Sequence, residues 1–171
     1  MTPSMTPSDA PRVVVLRTED ELERAYRFFT EHGQGQEDRS DYRRFEEVVV
    51  ALERDGQVIA AVRMSFEYGP VTLRTMLVTE SMRGQGLGRR LNRAFVNELG
   101  DRACFLLAFG DLIEFYGEVG FELIADDEAP GHMIRRRDIY TDLMSMEELS
   151  RRGGFVAMGR ALGAPENVEE R

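Results

Sequence analysis

Residues 79–91 read TESMRGQGLGRRL, with Arg83-Gly84-Gln85-Gly86-Leu87-Gly88 at the centre. Upstream, Val71–Val78 (VTLRTMLV) has the length and β-branched content of a strand. Downstream, Leu87, Leu91, Ala94, Phe95 and Leu99 recur at helical spacing, and Gly100 is placed to end that helix. Glycines at alternate positions let the backbone take positive φ and turn several N–H groups inward. Such a nest at the start of a helix is an anion site, reinforced by the helix dipole. The charges agree, since Glu80–Arg93 sets four arginines (83, 89, 90 and 93) against one acid in a chain of formal net charge -9. Cations in a helix's first turn oppose its dipole by roughly 0.3–1 kcal/mol each. A bound phosphate would offset that cost, whereas a tight turn with solvated arginines is the plainer alternative.

Outward from this turn the chain alternates strands and helices. Arg12–Arg17 (RVVVLR) predicts a strand, and Thr18-Glu19-Asp20-Glu21 a capping box opening a helix to about His32. Gly33–Asp41 is polar and Gly-rich, a loop of the kind on which substrate specificity lives. Val48–Glu53 and Val58–Tyr68 predict two strands joined by a hairpin turn at Arg54-Asp55-Gly56-Gln57. On the second, Arg63, Ser65 and Glu67 form a polar face opposite Val62, Met64 and Phe66. Val71–Val78 completes an antiparallel meander. After the Gly turn and its helix, Ala103–Phe109 predicts a buried strand, Gly110–Glu118 a helix and Gly120–Ile124 a strand. His132–Tyr140 reads as a final strand, with Arg135-Arg136-Arg137 as a solvated face that an anionic substrate group could use. Ser145–Glu148 reads as a second capping box before a short helix. The fold class is therefore α/β with a mixed sheet, a meander followed by a βαβαβ half, and helices on both faces. The expected organisation is a flexible leader (1–11), one domain (12–140) and an extension (141–171) that is loosely held beyond Gly153.

The identity of the anion narrows by elimination. The spacing G-x-G-x-G puts Arg89 where the dinucleotide fingerprint needs its third glycine. All 22 basic residues are Arg, so phosphate loops that require Lys, and lysine Schiff bases, are excluded. The segment resembles the acetyl-CoA signature R/Q-x-x-G-x-G/A of the GNAT superfamily of N-acyltransferases, with Arg83, Gly86 and Gly88 at the matching positions. A second stretch, Phe115-Tyr116-Gly117-Glu118-Val119-Gly120-Phe121, is similar to the F-Y-x-x-x-G-F element of that superfamily. Both lie in the expected order, and the resemblance spans Arg12–Tyr140.

The resemblance implies a cofactor cradle of Arg83, Gly84, Gln85, Gly86, Leu87, Gly88 and Arg89 around the pyrophosphate of acetyl-CoA. The strand edge at Met76, Leu77 and Val78 would hold the pantetheine arm. A backbone N–H near Leu77 or Val78 would polarise the thioester carbonyl. Tyr116 matches the general acid proposed in many relatives; a phenol of pKa near 10 is protonated at working pH. A half-buried tyrosine bonded to backbone is the bland reading of that residue. Many relatives carry a glutamate near the start of the fourth strand as general base, where this chain has VTLRT. Glu67 is the first substitute and His132 the second. The asparagine that some relatives place before the last helix is also absent, Phe109 lying in that neighbourhood.

Composition bounds the rest. A length of 171 residues suits a single domain with its own core. The acidic balance argues against nucleic acid as a partner and weakly for a cationic amine acceptor, either a small molecule or a protein. One cysteine allows no intramolecular disulfide, and with His32 and His132 far apart no metal site is expected. The start MTPSMTPSDAP lacks a signal peptide's pattern, and no apolar run suggests a membrane as partner; the expected compartment is the cytoplasm. The expected function is N-acetyl transfer from acetyl-CoA to a primary amine in a ternary complex. The alternative is a non-catalytic acyl-CoA-binding sensor or scaffold. A homodimer is left open.

Overall fold

The computed structural model describes residues 10–33 and 44–161. Most of the leader, nearly all of the Gly33–Asp41 loop and the last ten residues lie outside the described residues. Thr18 caps α1 (Glu19–His32) as its sequence requires, with both halves of the capping box formed. β1 (Arg12–Leu16), β2 (Glu46–Arg54), β3 (Gln57–Phe66) and β4 (Val71–Val78) form the antiparallel meander. The β2–β3 turn pairs Arg54 with Gln57. Asp55 (φ 53°) and Gly56 (φ 74°) are both left-handed between them, as a two-residue hairpin demands.

β4, α2 (Leu87–Leu99) and β5 (Cys104–Phe109) then form a parallel crossover. A 3-10 turn at Gly110–Leu112 leads into α3 (Ile113–Gly117) and the two-residue β6 (Glu122–Leu123). With β7 (Phe155–Arg160) included, the seven-stranded sheet has the order β1-β2-β3-β4-β5-β7-β6. On one face α2 and α3 cover a core that includes Val62, Met64, Leu91, Phe95 and Leu106. On the other, α1 packs Ala25, Tyr26, Phe28 and Phe29 over Val49, Ala51 and Ala61.

Two segments depart from expectation. His132–Tyr140 is not a strand but part of α4 (Gly131–Leu143). Its apolar residues follow no single stripe, so its period carried no helix signal, but Met and Arg are good helix formers and Pro130 stands at the N-cap. Met133 is fully buried, and Arg137 clasps Asp126 through two 2.7 Å hydrogen bonds. Residues 154–160 are not loose. After α5 (Met146–Arg152), β7 (Phe155–Arg160) inserts between β5 and β6 and pairs with β5 along six residues. Ser145 caps α5 by accepting from the Glu148 N–H.

Candidate active site

β4 is paired with β3 as far as Val78 but with β5 only over Val71–Leu73. Past Leu73 the two strands part. The β3–β4 register slips between Val62 and Met64, so β4 carries an extra residue around Arg74-Thr75, a bulge that re-aims its edge. The opening is a cleft of about 210 Å³, lined by β4 from Thr72 to Met76 together with Leu107, Tyr116, Arg136 and Tyr140. Met76, Leu77 and Val78 continue this edge, half-buried, toward the Gly turn.

The turn has the expected conformation. Gly84 (φ 81°) and Gly86 (φ 78°) are left-handed, with open space where a Cβ would stand. Gly86 is the N-cap of α2 and supplies no side-chain cap, so the N–H groups of the helix's first turn face outward. Gln85 is exposed, Leu87 anchors the turn in the core, and a Cβ on Gly88 would stand 3.8 Å from the Phe115 ring. Arg83 donates to the Val78 carbonyl at 3.3 Å, and Arg89 pairs with Glu118 at 3.0 Å, both at the surface.

Tyr116 is 6% exposed on α3 and reaches the cleft wall. Burial pushes its phenol up to about 12. The buried Asn92 of α2 donates to the Phe115 carbonyl at 3.2 Å, tying the tyrosine's helix to the one that begins at the Gly turn. Phe109 stacks on Phe155 at 4.5 Å with the Arg152 guanidinium over its ring.

The polar face of β3 is not solvated. Arg63, Ser65 and Glu67 are 2%, 1% and 0% exposed. Arg63 is bound to Glu47, which also accepts from the Tyr26 hydroxyl at 2.7 Å. Glu67 receives Arg74 at 2.9 Å and Arg136 at 2.7 Å, so Arg136 turns inward from the arginine run, while Arg135 stays exposed and Arg137 binds Asp126. Burial pushes the Glu67 carboxyl up, but the hydrogen bond and charge of Arg136, with the charge of Arg74, outweigh it and hold it below the ordinary value. A carboxylate so held takes up a proton poorly. His132, on the first turn of α4, places Nε2 3.9 Å from Glu67, with no hydrogen-bond partner among the described residues. Burial lowers the His132 pKa, with the surrounding arginines adding to the effect, in spite of Glu67. It does not line the cleft. Cys104 is buried core with its thiol pushed up to about 12, hence inert.

Sequence reasoning missed Arg74 and Tyr140 as cleft residues. Their signal was weak: one arginine inside a strand, and one tyrosine four residues after Arg136 in a segment whose helical period was hidden.

Residues 45–123 match the family model for the acetyltransferase (GNAT) domain. The match covers 79 of the 171 residues, and the fold is that of solved acyl-CoA N-acyltransferases. An acyl-CoA N-acyltransferase from Pseudomonas aeruginosa superposes with a TM-score of 0.62 at 20% identity, over 89% of this chain and 100% of that one. The ribosomal-protein-S18-alanine N-acetyltransferase of Escherichia coli gives 0.62 at 16% identity, over 95% and 97%. The GNAT family N-acetyltransferase YhbS of Escherichia coli, solved in complex with CoA, gives 0.54 at 24% identity, over 70% and 73%. No curated protein sequence matches. Among the described residues no helix is long and apolar enough to cross a membrane, and no cluster of three metal-ligating side chains occurs.

Proposed function

We propose that this protein transfers an acyl group, with acetyl as its simplest form, from acyl-CoA to a primary amine by direct attack in a ternary complex. The parting of β4 from β5 after Leu73 carries the reading. It leaves a strand edge without its ladder partner, running from the cleft to the N-terminus of α2, and an extended amide-bearing arm such as pantetheine can pair with such an edge.

In this scheme the N–H groups of residues 84–88 and the side chains of Arg83 and Arg89 hold the diphosphate. A β4 backbone N–H near Leu77 or Val78 polarises the thioester carbonyl. The neutral amine attacks the carbonyl carbon, the C–N bond forms, and collapse breaks the C–S bond. The amine loses a proton to water, the CoA thiolate takes one from Tyr116, whose buried phenol is protonated and able to donate, and the tyrosinate regains a proton from water. Glu67 enters as the electrostatic support of Arg74 and Arg136 in preference to the general base.

Acetyl-CoA binding is measured by calorimetry, and CoA release is followed over an amine panel. Tyr116→Phe is expected to lower kcat about 10²-fold, within the usual range for general-acid loss, with the KM for acetyl-CoA within about threefold. An unchanged kcat overturns the role of Tyr116, and absence of acetyl-CoA binding at millimolar levels overturns the whole reading. The ion pairing of Glu67 favours one other reading, a domain that binds acyl-CoA without turnover; tight binding with no CoA release on any amine would select it.

A further inference from the structure

α4 packs over β5 and β7, and its residues Arg136 and Tyr140 line the cleft. Ile139 lies three positions after Arg136, and Leu143 lies three after Tyr140 and four after Ile139, so the four are neighbours on one flank of the helix. Arg136 and Tyr140 are half-buried, while Ile139 and Leu143 are 58% and 78% exposed. The helix is held on its other side by the buried Met133 and by Arg137 on Asp126, so its own packing does not call for these two. His132 begins the same flank one turn before Arg136, and the Tyr68 ring meets it in a T-shaped contact at 4.9 Å. Tyr68 is 69% exposed and left-handed at φ 54°, a conformation whose cost its exposed ring does not return by burial. Single exposed apolar side chains are ordinary, but here three of the large ones among the described residues border one cleft.

We propose that this flank is a docking strip for the acceptor, and that the acceptor is the amino terminus of a polypeptide with apolar side chains in its first residues. This deepens the acyl-transfer reading and rests on it. The cleft, about 210 Å³, has room for the acyl group, the attacking amine and little more, so a larger acceptor must continue along the rim. Neighbouring side chains on a helix flank stand about 5–6 Å apart. Two extended residues cover about 6.6 Å at ~3.3 Å each. An amine seated among Tyr116, Arg136 and Tyr140 therefore brings the second and third residues level with Leu143 and Ile139. The rise from Ile139 to Leu143, about 6 Å at ~1.5 Å per residue, also matches the spacing of alternate side chains along a strand. The strip from His132 to Leu143 runs about 16 Å, the length of about five extended residues. The backbone of such a peptide finds a donor as well: the Tyr140 hydroxyl accepts from Arg74 at 3.5 Å, and its own O–H can serve a peptide carbonyl. A lysine amine stands at the end of a four-carbon stem and would lift the neighbouring side chains clear of the strip.

The test follows CoA release on pentapeptide amides that share a first alanine and carry leucine or serine at positions two and three, with alanine amide as the small amine. The leucine peptide is expected to show at least tenfold higher kcat/KM than either of the others. Calorimetry with CoA present reads binding of the N-acetylated forms apart from turnover, and the same order is expected. Ile139→Ser and Leu143→Ser replace exposed side chains, so Tm should hold within a few degrees. Together they should cut the leucine preference at least fivefold, with the KM for acetyl-CoA within about threefold. Equal rates and equal binding for all three amines overturn the strip and leave acyl transfer standing, as does a leucine preference that survives the double variant. A blocked peptide with one internal lysine that reacts faster than the free amino terminus overturns the amino-terminal assignment. Sedimentation equilibrium tests the other occupant, a second copy of this chain: a dimer that Leu143→Ser dissociates, with the peptide preference unchanged, makes the strip a subunit interface and overturns the proposal. Failure of acetyl-CoA itself to bind would instead bring down the acyl-transfer reading.

Discussion

At the scale of single residues the site turns on one buried carboxylate. Glu67 has its folded-state pKa depressed: burial alone would raise it, and Arg136 and Arg74 more than reverse that. A depressed acid contributes stability that is present above its unfolded pKa and is lost as pH falls through the folded one. Glu67→Gln should therefore destabilise the protein by about 3–5 kcal/mol at pH 7, because it leaves two buried guanidiniums facing each other. The gap to the wild type should close as pH falls below the ordinary carboxylate range near 4.5. Urea unfolding at pH 7, 5, 4 and 3 measures this, and a gap that does not narrow at pH 3 would show that Glu67 contributes through shape alone. None of this was legible in the sequence. Alternation along β3 gave the face of Arg63, Ser65 and Glu67 correctly but not its burial, since a polar stripe under α4 reads the same as one under water. The residues that bury Glu67 come from β4 and from a helix more than sixty positions later.

At the scale of elements, what was legible was what local rules determine. The Asp55-Gly56 turn, the Thr18 capping box and the Gly84–Gly88 turn each need particular residues at fixed offsets, and each formed as read. α4 and β7 are decided by distant partners: Glu67 and Asp126 for the helix, β5 for the strand. The Gly turn also gives a prediction of its own scale. Gly86 caps α2 at φ 78°, with nothing within 4 Å of a Cβ, so Gly86→Ala meets backbone strain and no clash. That strain is worth about 1–2 kcal/mol. The helix N-terminus should shift out of its anion-holding geometry, so acetyl-CoA should bind at least tenfold more weakly in calorimetry while Tm falls by only a few degrees. Equal affinity in the variant would remove the turn from the binding site.

At the scale of the whole molecule, the C-terminal strand locks the catalytic half to the sheet. Arg160 on β7 is buried and donates to Val119 O at 3.0 Å and Gly100 O at 3.1 Å, joining the ends of α3 and α2. At the other end of β7, Gly110 donates to Gly154 O at 2.9 Å, and a Cβ on Gly110 would stand 2.6 Å from the Gly153 carbonyl oxygen. That neighbour is backbone, so it cannot swing aside as a side chain would. Gly110→Ala must push the α5–β7 junction away from β5, parting the stacked Phe109 and Phe155 rings at the start of the pairing. Overpacking of this kind costs about 1–3 kcal/mol, with the lost ring contact added. Gly117→Ala is the control, because a Cβ there meets nothing within 4 Å and its φ is ordinary. Urea unfolding should show Gly110→Ala at least 2 kcal/mol less stable than Gly117→Ala, which itself should lie within about 0.5 kcal/mol of wild type. The displaced strand would also carry Arg160 away from α3, so acyl transfer in Gly110→Ala should fall through misplacement of Tyr116, with acetyl-CoA affinity, set at the opposite end of β4, largely kept. If both alanine variants were equally stable, β7 would be an appendage of the sheet and not the brace that holds Tyr116 against the cleft.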